Sequence, residues 1–183
     1  FNNDSDTLVL INAYIEWGID FILKLDGMFS IVIWDKINKE FYLIRDRIGI
    51  KPLYYTKIND TIFFASELKA LIALNSFDKT INYSALSDYF HNRYIIDQCS
   101  IFESVNKVQP GTYIKITESQ ISHHKYWKLK SNSPSIYSFD EFENKLRSIV
   151  EDHLVSDVPV GSFLSSGLDS TLITLLAQQS LDK

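Results

Sequence analysis

Phe163-Leu-Ser-Ser-Gly-Leu-Asp-Ser170 joins a short apolar lead-in to a hydroxyl-rich turn. The preceding residues, Val158-Pro-Val-Gly-Ser-Phe-Leu164, read as an apolar strand, and Thr171 to Gln178 carry apolar residues at helical spacing. Strand, small turn, then helix is a way to cradle phosphate. Backbone N–H groups in the first helical turn have no intrahelical partner, and the helix dipole favours negative charge there. Ser165, Ser166 and Ser170 add hydroxyls, and Gly167 permits close approach or a positive φ. Asp169 is a hard oxygen ligand suited to Mg²⁺ beside phosphates. The stretch is not a Walker A loop, because no second glycine stands at the required offset from Gly161 and no lysine follows. The bland alternative is a serine-rich turn that caps a helix.

Bulk composition narrows the classes. The chain has 183 residues, enough for one or two domains, and 45% hydrophobic with 14% aromatic content supports packed cores over disorder. A net charge of −5 argues against nucleic acid as the main partner. A single cysteine, Cys99, leaves no internal disulfide and fits a reducing compartment. No apolar run of about 18 residues marks a membrane span.

Working back from the loop, Ser138-Phe-Asp-Glu141 is a capping box opening a helix with Phe139, Phe142, Leu146, Ile149 and Val150 on one face. Ser131-Asn-Ser-Pro-Ser-Ile is polar and non-periodic, the best linker. Upstream, Phe29–Asp35 with Phe41–Arg45, and Lys51–Thr56 with Thr61–Ala65, read as two hairpins, and Thr112–Thr117 as another strand. Helices are expected over Thr7–Trp17, Glu67–Leu74 and Ser84–His91, the first with Leu8, Ile11 and Ile15 on one face and the last capped from Asn82. The expected organisation is an antiparallel, β-rich module over residues 1–128, a linker over 129–137, and the start of an α/β parallel-sheet module over 138–183. Such a sheet needs several strand–helix units and only one is present, so the chain reads as an interior piece of a larger protein.

The loop resembles the pyrophosphate loop, Ser-Gly-Gly-x-Asp-Ser, of the N-type ATP pyrophosphatases, departing from it at Ser166, where glycine is usual. A longer series of stretches is similar to the glutamine-dependent asparagine synthetase family. The series comprises Ser5-Asp-Thr7, Leu25-Asp-Gly-Met-Phe29, Arg45 through Tyr55, Phe64 through Leu71, Val108 through Tyr113, Tyr126-Trp127, and Ser156 through Ser170. The resemblance runs from about Ser5 to Gln179, in family order. It implies α+β architecture: a partial class II glutamine amidotransferase domain, an Ntn-type α/β/β/α sandwich, followed by the start of an α/β parallel-sheet adenine-nucleotide domain.

The implied chemistry is release of ammonia from glutamine by an N-terminal cysteine. ATP then activates aspartate as β-aspartyl-AMP, and ammonia displaces AMP to give asparagine. Asp6 matches the residue that holds the glutamine α-amino group, against the plainer reading of a helix cap. Ser165, Ser166, Gly167, Leu168, Asp169 and Ser170 match the pyrophosphate loop, with Asp169 the candidate Mg²⁺ ligand. Phe163 falls where the family meets adenosine, against an inward strand residue. No catalytic residue is expected in this piece: the nucleophile and its Arg and Asn-Gly partners would precede Phe1, and the remaining aspartate and ATP groups would follow Lys183. The piece alone is therefore expected to be inactive.

The implied small molecules are glutamine, aspartate, ATP and Mg²⁺, with no nucleic acid, no membrane, a homodimer of the full-length protein, and a cytoplasmic location. Other readings stay open: a relative that amidates another carboxylate (a sugar acid, a peptide, a lactam-forming substrate), a truncated non-catalytic fragment, and a GMP-synthetase-type pyrophosphatase. The Leu25–Leu71 motifs speak against the last. Arg45, Asp46, Arg47 and Lys51 read either as an interdomain role or as structural ion pairs at a hairpin end. Glu67 is similarly ambiguous. Cys99 is internal and no Ntn nucleophile, the four histidines show no metal spacing, and Trp17, Trp34 and Trp127 are expected in the core.

Overall fold

The computed structural model describes residues 5–96, 98–130 and 138–181. The chain divides into two compact units, one through Leu129 and one from Lys130. The linker expected at 131–136 lies outside the described residues.

In the first unit, α1 (Asp6–Trp17) leads through a 3-10 turn (Gly18–Leu23) into hairpin β1 (Ser30–Asp35) and β2 (Glu40–Arg45). A second hairpin follows, β3 (Tyr54–Ile58) and β4 (Thr61–Ala65), then α2 (Leu68–Ile72), α3 (Tyr83–Asn92), β5 (Val105–Lys107), β6 (Thr112–Ile116) and β7 (Ile121–Lys125). Two antiparallel sheets result, one in the order β1-β2-β6-β7 and one in the order β4-β3-β5.

Alternation along the strands assigns each face. Leu43 and Ile114 of the first sheet turn towards Tyr55 of the second, with Leu53 and Val108 completing the seam. Phe41 and Phe64 meet across it at 5.4 Å between ring centroids. The opposite face of the first sheet, Tyr42 and Ile44, takes Ala13, Phe21 and Ile22 of α1 and its 3-10 turn. The outer face of the second sheet, Tyr54, Phe63 and Val105, takes Leu68, Leu71 and Ile72 of α2. These contacts stack helix, sheet, sheet and helix, the α/β/β/α sandwich expected. Leu43 and Ile114 are almost wholly buried, and each such side chain contributes about 2 kcal/mol of burial.

Local rules set the ends. Gly18 closes α1 at φ +56, and Asn82 caps α3 by accepting from the Ala85 amide at 3.0 Å. Three expectations need correction. Leu8, Ile11 and Ile15 of α1 stand exposed, while Leu10, Ala13 and Tyr14 face the sheet. Trp17 and Trp34 are about half exposed rather than core, Trp17 lying under the Lys24 ammonium at 4.6 Å. Val158–Leu164 forms no strand, since a strand exists only by pairing and none of the described residues supplies a ladder partner.

The second unit comprises α4 (Phe139–His153) and α5 (Leu168–Leu181). The capping box is complete: Ser138 Oγ accepts from the Glu141 amide at 3.2 Å, and Glu141 Oε2 accepts from the Ser138 amide at 2.8 Å. Arg147 links the helices by donating to Gln179 Oε1 at 2.8 Å, and Glu143 takes its other nitrogen at 3.0 Å.

Candidate functional site

The loop between residues 161 and 168 is held by its own hydroxyls. Thr174 Oγ1 donates to the Ser170 carbonyl one turn back at 2.7 Å, and pairs with Ser162 Oγ at 2.7 Å. Ser170 Oγ donates to the Gly167 carbonyl at 3.0 Å, accepts from the Ser165 amide at 3.3 Å and lies 3.0 Å from Ser165 Oγ. The first helical bond of α5 runs from the Thr171 amide to the Gly167 carbonyl at 3.0 Å. The amides of Leu168, Asp169 and Ser170 therefore precede the helical ladder, as the first N–H groups of any helix do.

Ser166 sits at φ +59, the left-handed region that favours glycine. Its neighbour Gly167 does not. A Cβ at Gly167 would stand 3.6 Å from Ser165 Oγ and 3.8 Å from Ser170 Oγ, ordinary contact distances. Gly167 is thus needed neither for backbone angle nor for packing, and its bareness leaves open the space over the turn. Asp169 is exposed in the first turn of α5. No group of three or more His, Cys, Asp or Glu side chains able to hold a metal occurs among the described residues. The donor set here, hydroxyls, free helix amides and one carboxylate, fits a phosphate chain accompanied by Mg²⁺, with phosphate oxygens and water completing the ion's shell.

Phe163 does not point inward: its side chain is 99% exposed. It borders an apolar groove of about 600 Å³ in the same unit, lined among others by Leu146, Ile149, Val160, Ile173 and Ala177.

The other predicted site residue, Asp6, lies in the first unit. It is exposed in the first turn of α1, capped by the Ser5 main chain alone, and accepts no hydrogen bond among the described residues. The helix N-terminus favours its negative charge.

The charged cluster at the end of β2 works on the backbone. Asp46 is 1% exposed, and its carboxylate accepts from the amides of Ile50 at 3.0 Å, Lys51 at 2.9 Å and Phe29 at 3.3 Å. Arg45 donates to the carbonyls of Lys51, Gly49 and Val108 at 3.0, 2.7 and 2.8 Å. Among the described residues only Arg47 forms an ion pair there, with Asp26 at 3.2 Å. The cluster is structural, as the blander reading has it, but through main-chain bonds rather than mutual ion pairs. Glu67 pairs with Lys69 at 2.6 Å on the surface. The bracing role of Thr174 was not foreseen; its spacing of four residues from Ser170 on a helix was the available signal.

Residues 1–127 match the model of the glutamine amidotransferase domain family. The chain belongs to the glutamine amidotransferase domain family. Residues 141–183 match the asparagine synthase family model, so the match includes the serine loop. The chain is 39% identical over 184 residues to glutamine-hydrolyzing asparagine synthetase 1 of Bacillus subtilis, covering 98% of this chain and 29% of that protein. It is 34% identical over 188 residues to synthetase 3 of the same organism, covering 100% of this chain and 30% of that one. Amidase chry2 of Gibberella zeae is 32% identical over 181 residues, covering 94% of this chain and 26% of that protein. The chain spans under a third of the length of these relatives. In this amidotransferase family member, the α/β/β/α sandwich is the matched domain, and Asp6 is within it.

Proposed function

We propose that the protein carrying this chain is a glutamine-dependent asparagine synthetase. Its first domain, residues 1–128, releases ammonia from glutamine. The domain that begins at 138, after a linker over 129–137, uses ATP to activate aspartate as β-aspartyl-AMP and passes the acyl group to ammonia. The products are asparagine, AMP and pyrophosphate. The observation that carries this reading is the succession, in one chain, of an amidotransferase sandwich and a serine-rich turn opening a helix within the region similar to asparagine synthase.

In this reading the Asp6 carboxylate holds the glutamine ammonium by a charge-assisted hydrogen bond. Ser165, Ser166, Gly167, Leu168, Asp169 and Ser170 hold the β- and γ-phosphates that leave as pyrophosphate. The uncommitted amides at the start of α5 meet charge that grows on the leaving group. Main chain at Phe163 borders the adenosine, and the adjoining groove supports an apolar neighbour there. Mg²⁺, when bound near Asp169, would neutralise phosphate charge. No helix among the described residues is long and apolar enough to cross a membrane. Need for ATP and glutamine places the enzyme in the cytoplasm.

The test supplies the protein with amide-labelled glutamine, aspartate, ATP and Mg²⁺. Label should appear in asparagine, with AMP and pyrophosphate released in equal amounts. Label remaining as free ammonia with every acceptor tried would sink the reading. A second reading, transfer to another carboxylate, is favoured by the 32% identity to a protein named an amidase. It predicts that aspartate fails while a different acid supports AMP release.

A further inference from the structure

A pocket of about 360 Å³ opens in the first unit where the end of β2, the turn before β6 and the segment after β7 meet. The described residues lining it include three cations, Arg47, Lys125 and Lys128, and no carboxylate, in a chain whose net charge is −5. Gln109, Trp127 and Leu129 form most of the remaining wall. Main chain fixes the frame. Gly111 stands at φ +63, and a Cβ there would lie 2.8 Å from the Trp127 carbonyl oxygen and 3.3 Å from that of Arg47. Only glycine lets the segments carrying Arg47 and Trp127 close on this turn. The amides of Tyr126 and Trp127 both donate to the Gly111 carbonyl, at 3.0 and 3.1 Å, and Thr112 Oγ1 donates to the Gln109 carbonyl at 2.7 Å. Arg47 is half-buried, and its bond to Asp26 uses one of its five N–H donors. Lys125 and Lys128 are exposed and make no hydrogen bond or ion pair among the described residues. Three like charges around one hollow repel one another, and an anion between them relieves that repulsion.

We propose that this pocket binds an organic phosphate, at a site separate from Asp6 and from the serine loop. The phosphate group meets Arg47, Lys125 and Lys128, and the organic part lies against Trp127 and Leu129. A phosphate monoester carries a charge of about −1.5 to −2 at pH 7 and three acceptor oxygens, which three cations match better than the single charge of a carboxylate. The Arg47 fork supplies directed donors, and the lysines supply mobile point charges. The apolar wall gives an inorganic ion nothing to contact, so the pocket selects an ester over free phosphate. No step of the function proposed above uses these residues.

The test exposes the protein carrying this chain, at low salt, to phenyl phosphate, inorganic phosphate, sulfate or phenol. Lysine amines are acetylated with and without each probe and read by mass spectrometry, and affinities are measured by calorimetry. Phenyl phosphate should protect Lys125 and Lys128, while Lys36 and Lys79, exposed elsewhere in the first unit, react as before. Its affinity should fall roughly tenfold or more in the double variant Lys125→Gln/Lys128→Gln, the scale of lost charge-assisted bonds, and should fall as salt rises. Trp127→Ala should weaken phenyl phosphate severalfold and leave inorganic phosphate unchanged. Where a melting curve shows that Trp127→Ala does not fold, lysine protection in the wild type decides. Failure of phenyl phosphate to protect either lysine overturns the inference, as does wild-type affinity in the double lysine variant. Equal protection by sulfate and phenyl phosphate also overturns it, since that is a diffuse ion atmosphere and not a site. No turnover is measured, so this inference and the proposed function fail separately.

Discussion

At Gly167 the backbone is not left-handed, and the nearest atoms to an added Cβ are two hydroxyls at 3.6 and 3.8 Å. Gly167→Ala should therefore change folding stability by less than about 1 kcal/mol, a small cap effect offset by lost unfolded-state freedom. Phosphate affinity should fall by about 1 kcal/mol or more, because the methyl fills space a ligand needs. Equal affinity with an unchanged melting temperature would show that the space is idle. Asp46 is the contrasting residue. It is buried, and its carboxylate takes three amides from two separate segments. Asn in its place offers one acceptor oxygen and turns an NH₂ group against donors. Asp46→Asn should cost about 2–4 kcal/mol. Tryptophan fluorescence during urea unfolding measures it cleanly, since Trp17, Trp34 and Trp127 all lie in the first unit. A cost under about 0.5 kcal/mol would show that the loop stands without this anchor. The sequence marked Asp46 as part of a charged cluster, but one-dimensional spacing does not distinguish a carboxylate that pairs with arginine from one that collects amides.

The β1–β2 hairpin and α1 are joined by a bond between elements: Tyr14 Oη donates to Asp35 Oδ2 at 2.9 Å. Amide and side-chain bonds from Asn38, then Tyr14, hold Asp35 down at about 2, while burial first and Asp35 second push Tyr14 up to about 12. The two shifts have opposite signs. The depressed carboxylate contributes stability above its unfolded value, near 4, and loses it as pH falls towards about 2. The raised phenol contributes below about 10 and loses it as pH rises towards about 12. Asp35→Asn should flatten the acid limb of the unfolding midpoint against pH, and Tyr14→Phe the alkaline limb. Parallel limbs in variant and wild type would refute the assignment.

Element type was legible where local chemistry is strong: both hairpins, the Asn82 cap and the Ser138–Glu141 box. It was illegible where tertiary context decides. β5 is only three residues long, too short for its alternation to stand out. The exposed Leu8, Ile11 and Ile15 stripe of α1 is as periodic as the buried one, so spacing could not choose the face. Val158–Leu164 has a strand's composition without a neighbour to pair with among the described residues.

Across the whole molecule, the two candidate sites lie in separate units, Asp6 in one and the serine loop in the other. The loop was visible in sequence because its residues are contiguous. Asp6 was visible only through resemblance, since one carboxylate at a helix start equally signals a cap. Among the described residues the Asp6 side chain makes no capping bond, and the ligand role remains the one proposed from the resemblance. The placement of the two candidate sites in separate units gives a test at the scale of the coupled enzyme. Asp6→Asn keeps the size and removes the charge that would meet a substrate ammonium. Glutamine KM should rise about tenfold or more, corresponding to loss of a charge-assisted bond of about 1.5–3 kcal/mol. Product formation supported by added ammonia should fall far less, because ammonia needs no α-amino anchor. A Ser166 variant should show the reverse, a higher KM for ATP with either nitrogen source. The two variants together then read out the two proposed sites separately. If Asp6→Asn depresses both nitrogen sources equally, its effect is on folding or on the nucleotide half, and the glutamine-anchor role fails. If it depresses neither, the carboxylate is a surface charge in the first turn of α1 that serves only the helix dipole.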